Sequence, residues 1–288
     1  MADRLRRWAA PALLFGLALA VRASAAVQVS LPPSQVSAYY LDVARNLATG
    51  HGLTADVLWS YASPPLTLPQ PAFALWMPLA SWLAALPMAV TGQATLVAAQ
   101  AAFVVLGALV APLVWAVAQE AAALDGLTGR RAATVAAGSG LLAAAFGPFL
   151  LPVMGPDSSL PFTVLALVAC LLMPRLLAAV DLEHGGTAYR AGIGLGVVLG
   201  LAYLARQEAL ELGIAYLVLL GPAARYLAPG ARARWIARTL AAPIAAGAVI
   251  VLPWLARTWL TFGSLGSQAT ENLLFVRNED VFAYSVRP

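Results

Sequence analysis

The chain has 288 residues, 61% of them hydrophobic and 10% charged, with a net charge of +4. A soluble domain carries about 25% charge, so this composition excludes a water-facing globule. It points to an all-α, polytopic membrane bundle, because only helices or closed barrels satisfy the backbone inside a bilayer. All 17 basic residues are arginine and fall in short segments between apolar runs. That is a topology signal, not a phosphate-tracking face, and it excludes nucleic acid as a partner.

The start, MADRLRRW, followed by an apolar run ending in RASAAVQ, mimics a secretory signal with a small-residue site between Ala23 and Ala26. The run from Trp8 to about Val29 is long enough to serve as a spanning anchor. Further apolar segments cover 73–90, 94–119, 132–152, 158–180, 191–221 and 239–260. The lone Cys170 lies inside one of them and reads as a core thiol without a disulfide partner.

Between the first two runs, PPSQVSAYYLDVARNLATGHGLTADVLW predicts a short helix over about 35–49, stopped by Gly50. On it Asp42 and Arg45 are spaced to pair, while Tyr39, Tyr40 and Asn46 offer stacking and hydrogen-bonding surfaces. One reading is an amphipathic helix lying on the membrane, with Leu41, Ala44 and Leu47 toward lipid.

Segment 73–90 carries Pro78, which removes a helix hydrogen bond in mid-span. It is expected to be interfacial or re-entrant, with Trp76 and Trp82 at headgroup level. A single helix over 191–221 would be about 46 Å long, so two spans of roughly 14 residues are expected, turning at ARQEALE. The GIGLGVVLG stretch inside it reads as small-residue helix packing rather than a nucleotide loop.

Keeping the arginine clusters at 4–7, 130–131, 175–190 and 225–238 cytoplasmic gives about seven crossings, N-terminus inside and C-terminus outside. The whole chain, 1–288, then forms one transmembrane domain, either complete or cut short after FAYSVRP. A large first outer loop spans 30–93 and contains short helices. Most polar residues gather on that outer face. His51 is a lone imidazole between glycines, and His184 needs no special role.

The order of YYLDVARNLATGHGLTAD, the Pro64–Pro65 pair, PQPAFALWMPLASWLAALPM, GPDSSLP, LGLAYLARQEAL and LPWLARTWLTFGS resembles the GT-C superfamily of integral membrane glycosyltransferases. It is similar above all to the bacterial group related to aminoarabinose transferases and protein O-mannosyltransferases. The resemblance implies inverting transfer of a sugar from a polyprenyl-phosphate donor to a lipid, glycan or protein acceptor. The reaction would take place at the extracytoplasmic face of a bacterial-type cytoplasmic membrane, among membrane lipid. It names no protein partner.

Such chemistry needs a carboxylate for the acceptor proton, and cations or a divalent metal for the departing phosphate. Family members carry an acidic pair just before the tyrosine that here is Tyr40. This chain has Gln35, Val36 and Ser37 there, and Gln70–Pro71 where His-Pro is common. The acids left for the catalytic role are Asp157, Asp56 and Asp42, in that order. Asp157 also suits a helix N-cap, Asp56 a turn, and Asp42 a pair with Arg45. Substrate contacts are expected from Tyr39, Tyr40, Arg45, Arg206, Glu208, Gln35 and Gln70. Arg206 and Glu208 suit equally a structural pair at the turn. Arg257 is expected to snorkel to headgroups. Two other readings remain: a catalytically silent relative that binds lipid-linked sugar or scaffolds a partner, and a transporter. The second would need inverted repeats that the sequence lacks.

Overall fold

The computed structural model describes residues 2–58, 67–181, 185–225 and 229–265. The Pro64–Pro65 pair, His184 and the FAYSVRP stretch lie outside the described residues. The protein is a helical bundle. Among the described residues four helical stretches, Trp8–Ala26, Leu96–Leu124, Ser159–Leu177 and Trp235–Phe262, are long and apolar enough to cross a membrane. A bent pair over 129–153 makes a fifth if counted as one span. This is the build of an integral membrane protein.

Helix α1 (Ala2–Ala26) runs unbroken through the stretch that mimics a cleavage site, and its Ala18, Arg22 and Ala26 are buried. It packs on α4 (Leu96–Leu124), the central helix, which also meets α3, α5 and α6. Thr95 caps α4, its hydroxyl accepting from Ala98 N–H at 3.3 Å. One turn on, Gln100 Nε2 donates to the carbonyls of Ala26 at 3.2 Å and Met154 at 2.7 Å, tying the ends of two other elements to α4.

Helix α5 (Gly129–Ala145) then bends by 58° into two 3₁₀ turns, 147–149 and 151–153. Pro148 and Pro152 have no N–H to continue an α ladder. The bend orphans the last carbonyls of α5. Arg22 supplies the missing donors: Nη2 reaches Ala143 O at 2.9 Å and Nη1 reaches Ala144 O at 3.0 Å. Gly107 on α4 leaves the space for it, since a Cβ there would sit 2.8 Å from Arg22 Cδ.

The second half comprises α6 (Ser159–Asp181), α7 (Gly185–Ala205), α8 (Ala209–Arg225) and α9 (Pro229–Phe262). The 191–221 segment does split in two, and the break falls at 206–208 as expected. The halves, at 21 and 17 residues, are longer than the expected 14. Gly192, Gly196 and Gly200 of α7 face Ala242, Pro243, Ala246 and Ile250 of α9, so GIGLGVVLG is a packing seam. Pro243 removes the donor for the Thr239 carbonyl one turn earlier. The hydroxyl of Tyr216 on α8 replaces it at 3.0 Å.

The 30–93 region folds against this bundle. Helix α2 (Gln35–Ala48) is capped by Ser34, whose hydroxyl accepts from Ser37 N–H at 3.0 Å, and it is followed by Gly50 at φ +87°. Strand β1 (Thr54–Ala55) pairs antiparallel with β2 (Gln70–Pro71). After a loop over 72–78 comes α3 (Leu79–Thr91), 13 residues, about 20 Å and too short to cross alone.

Three expectations fail here. Leu41 and Ala44 do not face lipid; α3 and β1 pack on α2 and both residues are buried in the main core. Trp76 and Trp82 are turned inward, packing on Tyr40 at 6.4 Å and on Trp254 at 5.9 Å. Cys170 is exposed, on the side of α6 beside the buried Ala169, and is no core thiol.

Candidate functional site

Helix α2 presents adjacent tyrosines in two directions. Both are buried, and Ser81 fixes the backbone below them by donating to Tyr40 O at 3.0 Å. Tyr40 turns toward the 206–208 turn and the head of α6. Its hydroxyl approaches Ser158 but makes no hydrogen bond of normal geometry among the described residues. Burial pushes the Tyr40 phenol well above its ordinary range, with Ser158 opposing.

Between these elements lies a cleft of about 290 Å³, lined by Tyr40, Leu75, Trp76, Met77, Ser158, Ala205, Arg206, Gln207 and Glu208. Arg206 Nη2 meets Glu208 Oε1 at 2.5 Å, and this bond holds the Glu208 carboxyl below its usual range. Two aromatic rings, a hydroxyl and an ion pair thus share one concave surface. Such a surface can stack on a ring and hydrogen-bond an oxygen-rich or anionic ligand.

The predicted site residues fall into four groups. Tyr40, Arg206 and Glu208 line the cleft. Asp157 flanks it, one residue from Ser158, and its charge is felt at Tyr40. Its Oδ1 accepts from Ser159 N–H at 2.7 Å and from the Ser159 hydroxyl, so the helix-capping role is realised.

Asp42 and Asp56 form a separate network at the ladder. Asp56 N–H donates to Asp42 Oδ2 at 2.8 Å, and Asn46 Nδ2 donates to Asp56 Oδ2 at 3.1 Å. Burial and the neighbouring Asp56 raise the Asp42 carboxyl, its bond from Asp56 N–H and the charge of Arg45 opposing. Gln70 belongs to the same edge, donating to Val57 O at 2.8 Å. The expected Asp42–Arg45 pair does not form: Arg45 Nε instead donates to Ala94 O at 3.1 Å, bracing α2 against the start of α4. Gln35 is exposed at the head of α2. None of these residues lines the cleft.

Tyr39 faces the other way. Phe73 N–H donates to its hydroxyl oxygen at 2.6 Å, and the two rings meet edge-on at 6.1 Å. Phe73 also packs on Trp254 of α9 at 5.6 Å. Burial pushes the Tyr39 phenol up to about 12, the Phe73 N–H and the charge of Arg257 opposing.

Arg257 does not snorkel outward; its guanidinium lies over Trp254 at 5.1 Å and Phe262 at 5.2 Å. The Trp-x-x-Arg spacing, which puts both side chains on one helix face, was the available signal. Trp76, Ser158 and Gln207 were not legible as site residues either, since a tryptophan, a serine and a glutamine carry no spacing signal of their own and the last two adjoin the charged Asp157, Arg206 and Glu208. His51 bonds Thr49 Oγ1 through Nδ1 at 2.8 Å. Among the described residues no three of His, Cys, Asp and Glu gather to hold a metal.

The chain matches no known protein family, no curated protein and no solved structure.

Proposed function

We propose that the protein is an integral membrane glycosyltransferase of GT-C type, moving a sugar from a polyprenyl-phosphate donor to a lipid, glycan or protein acceptor at the extracytoplasmic face. One observation carries this reading. Four of the stretches behind the resemblance, separated along the chain, contribute to the wall of one cleft: Tyr40, then Leu75 to Met77, then Ser158, then Ala205 to Glu208. A fifth, LPWLARTW, supplies Trp254 to the aromatic cluster next door.

In this reading Trp76, in contact with the buried Tyr40, stacks on the sugar and Arg206 forks onto the phosphate. Asp157, through the oxygen left free by Ser159, takes the acceptor proton. Asp56 and Asp42 drop behind it because they sit at the ladder. The same reading takes α5 with its bend, α7 and α8 as crossings beside the four long helices, seven in all, N-terminus inside and C-terminus outside.

A silent relative is the second reading, and a specific observation favours it. Glu208, the one carboxylate in the cleft wall among the described residues, is committed to Arg206. The test is turnover of a polyprenyl-linked sugar by the full chain in detergent. Asp157→Asn keeps size and hydrogen bonding, so turnover should fall about 10²–10⁴-fold, the usual contribution of a general base, with donor binding intact. Wild type that binds donor and never transfers establishes the silent relative. Full turnover by Asp157→Asn removes the assignment of the base.

A further inference from the structure

One hydroxyl in the cleft wall is a donor with nothing to receive its proton. Tyr40 is fully buried, and its hydroxyl has no hydrogen-bond partner among the described residues. A buried O–H without an acceptor costs stability and calls for an explanation. The oxygen it approaches is that of Ser158, which like Tyr40 lines the cleft. Ser158 is nearly buried itself, and a serine hydroxyl rotates to suit its neighbours.

The two hydroxyls can be satisfied together in one direction only. Tyr40 donates to Ser158 Oγ, and Ser158 then donates onward into the cleft. The reverse order, Ser158 donating to Tyr40, leaves the phenol proton buried with no acceptor. An acceptor on the ligand completes the chain, and each bond in such a chain strengthens the next. A hydroxyl oxygen or an amide carbonyl supplies the lone pair. An ammonium group, with three donors and no acceptor, does not.

Charge at this end of the cleft is disfavoured as well. Besides Arg206 and Glu208, which are paired with each other, every described residue of the cleft wall is uncharged. The side chains of that pair are 37% and 48% exposed, so they lie toward solvent. Asp157 does not line the cleft; Ser159 occupies its Oδ1, and Arg206 opposes its effect at Tyr40. A carboxylate brought to Ser158 would accept its proton but lose hydration with no counter-charge at hand.

We propose that Ser158, set by Tyr40, is the contact by which the cleft selects an uncharged sugar over an amino sugar or a uronic acid. Ser158 touches the sugar, and Tyr40 is a positioning residue that acts through it. This rests on the reading of the cleft as the place that holds the sugar of the donor.

Calorimetric titration of the full chain in a polyoxyethylene detergent, which carries no sugar, tests this. The probes are farnesyl phosphate and its esters with glucose, glucosamine and glucuronic acid, at a pH where the amine is charged. The glucose ester should bind at least about tenfold tighter than the two charged esters, the worth of one mispaired polar group. Tyr40→Phe removes an oxygen that makes no bond in the free protein, so its melting temperature should match or exceed wild type. It should nonetheless weaken the glucose ester about two- to tenfold and leave farnesyl phosphate unchanged. Ser158→Ala should weaken the same ester, and the double variant should be no weaker than Ser158→Ala alone, because one residue acts through the other. Equal binding of the three esters, an unchanged Tyr40→Phe or additive losses in the double variant overturns the proposal and leaves the glycosyltransferase reading standing. Esters that bind no tighter than farnesyl phosphate, or no binding of any probe, overturn both.

Discussion

Asp42 and Glu208 are both carboxylates, and their surroundings push them in opposite directions. Asp42 is raised by burial and by Asp56. A raised carboxyl contributes stability below the ordinary Asp range and loses it as pH climbs through the folded value, so at neutral pH it works against the fold. Asp42→Asn keeps an acceptor for Asp56 N–H and removes the charge. Its melting temperature at neutral pH should equal or exceed wild type; a loss of more than about 1 kcal/mol would show that the charge itself is needed. Glu208 is lowered, chiefly by its bond from Arg206. Its contribution is present above the ordinary Glu range and fades as pH falls through the folded value. Glu208→Gln should therefore flatten the acid limb of the stability profile, by a small amount because the pair is exposed. Tyr39→Phe acts differently, leaving the buried Phe73 N–H without an acceptor at a cost of about 1–3 kcal/mol. Thermal unfolding in detergent reads all three.

At the level of elements, the α7–α9 seam separates glycines that are needed from glycines that are not. A Cβ on Gly196 would lie 2.2 Å from Pro243 O, a backbone atom that cannot swing aside, whereas on Gly194 the nearest atom is 3.9 Å away. Gly196→Ala should part the helices and lower the melting temperature sharply. Gly194→Ala should be neutral or stabilising by up to about 1 kcal/mol, the helix propensity gained. Equal effects from the two would contradict the seam. Elements whose limits are written locally were legible in the sequence: Gly50 ends α2, and ARQEALE breaks the long apolar run. The cleft was not, because Tyr40, Ser158 and Arg206 meet only through packing of α2, α6 and α7. The inward turn of Trp76 was misread for the same reason, since an amphipathic ring suits a headgroup layer and a protein wall equally.

For the whole molecule, the arginine clusters demand that accessibility tags at 125 and 230 report the cytoplasm and tags at 60 and 268 the outside. Labelling that puts 60 and 125 on one side would break the seven-crossing reading and with it the face assigned to the cleft. Arg22 carries a consequence for biogenesis. Its acceptors, Ala143 and Ala144, lie 121 and 122 residues further along the chain, so at ordinary synthesis rates α1 leaves the ribosome roughly ten seconds before they exist. An unpartnered arginine near a helix end is drawn to the membrane surface by its long stem. Helix α1 must therefore insert first at a shallower depth and sink to its final register when α5 arrives to receive the guanidinium. Ala26→Cys, buried in the finished fold, should react with a membrane-impermeant thiol reagent in nascent chains arrested at residue 128. It should become protected once the full chain is released.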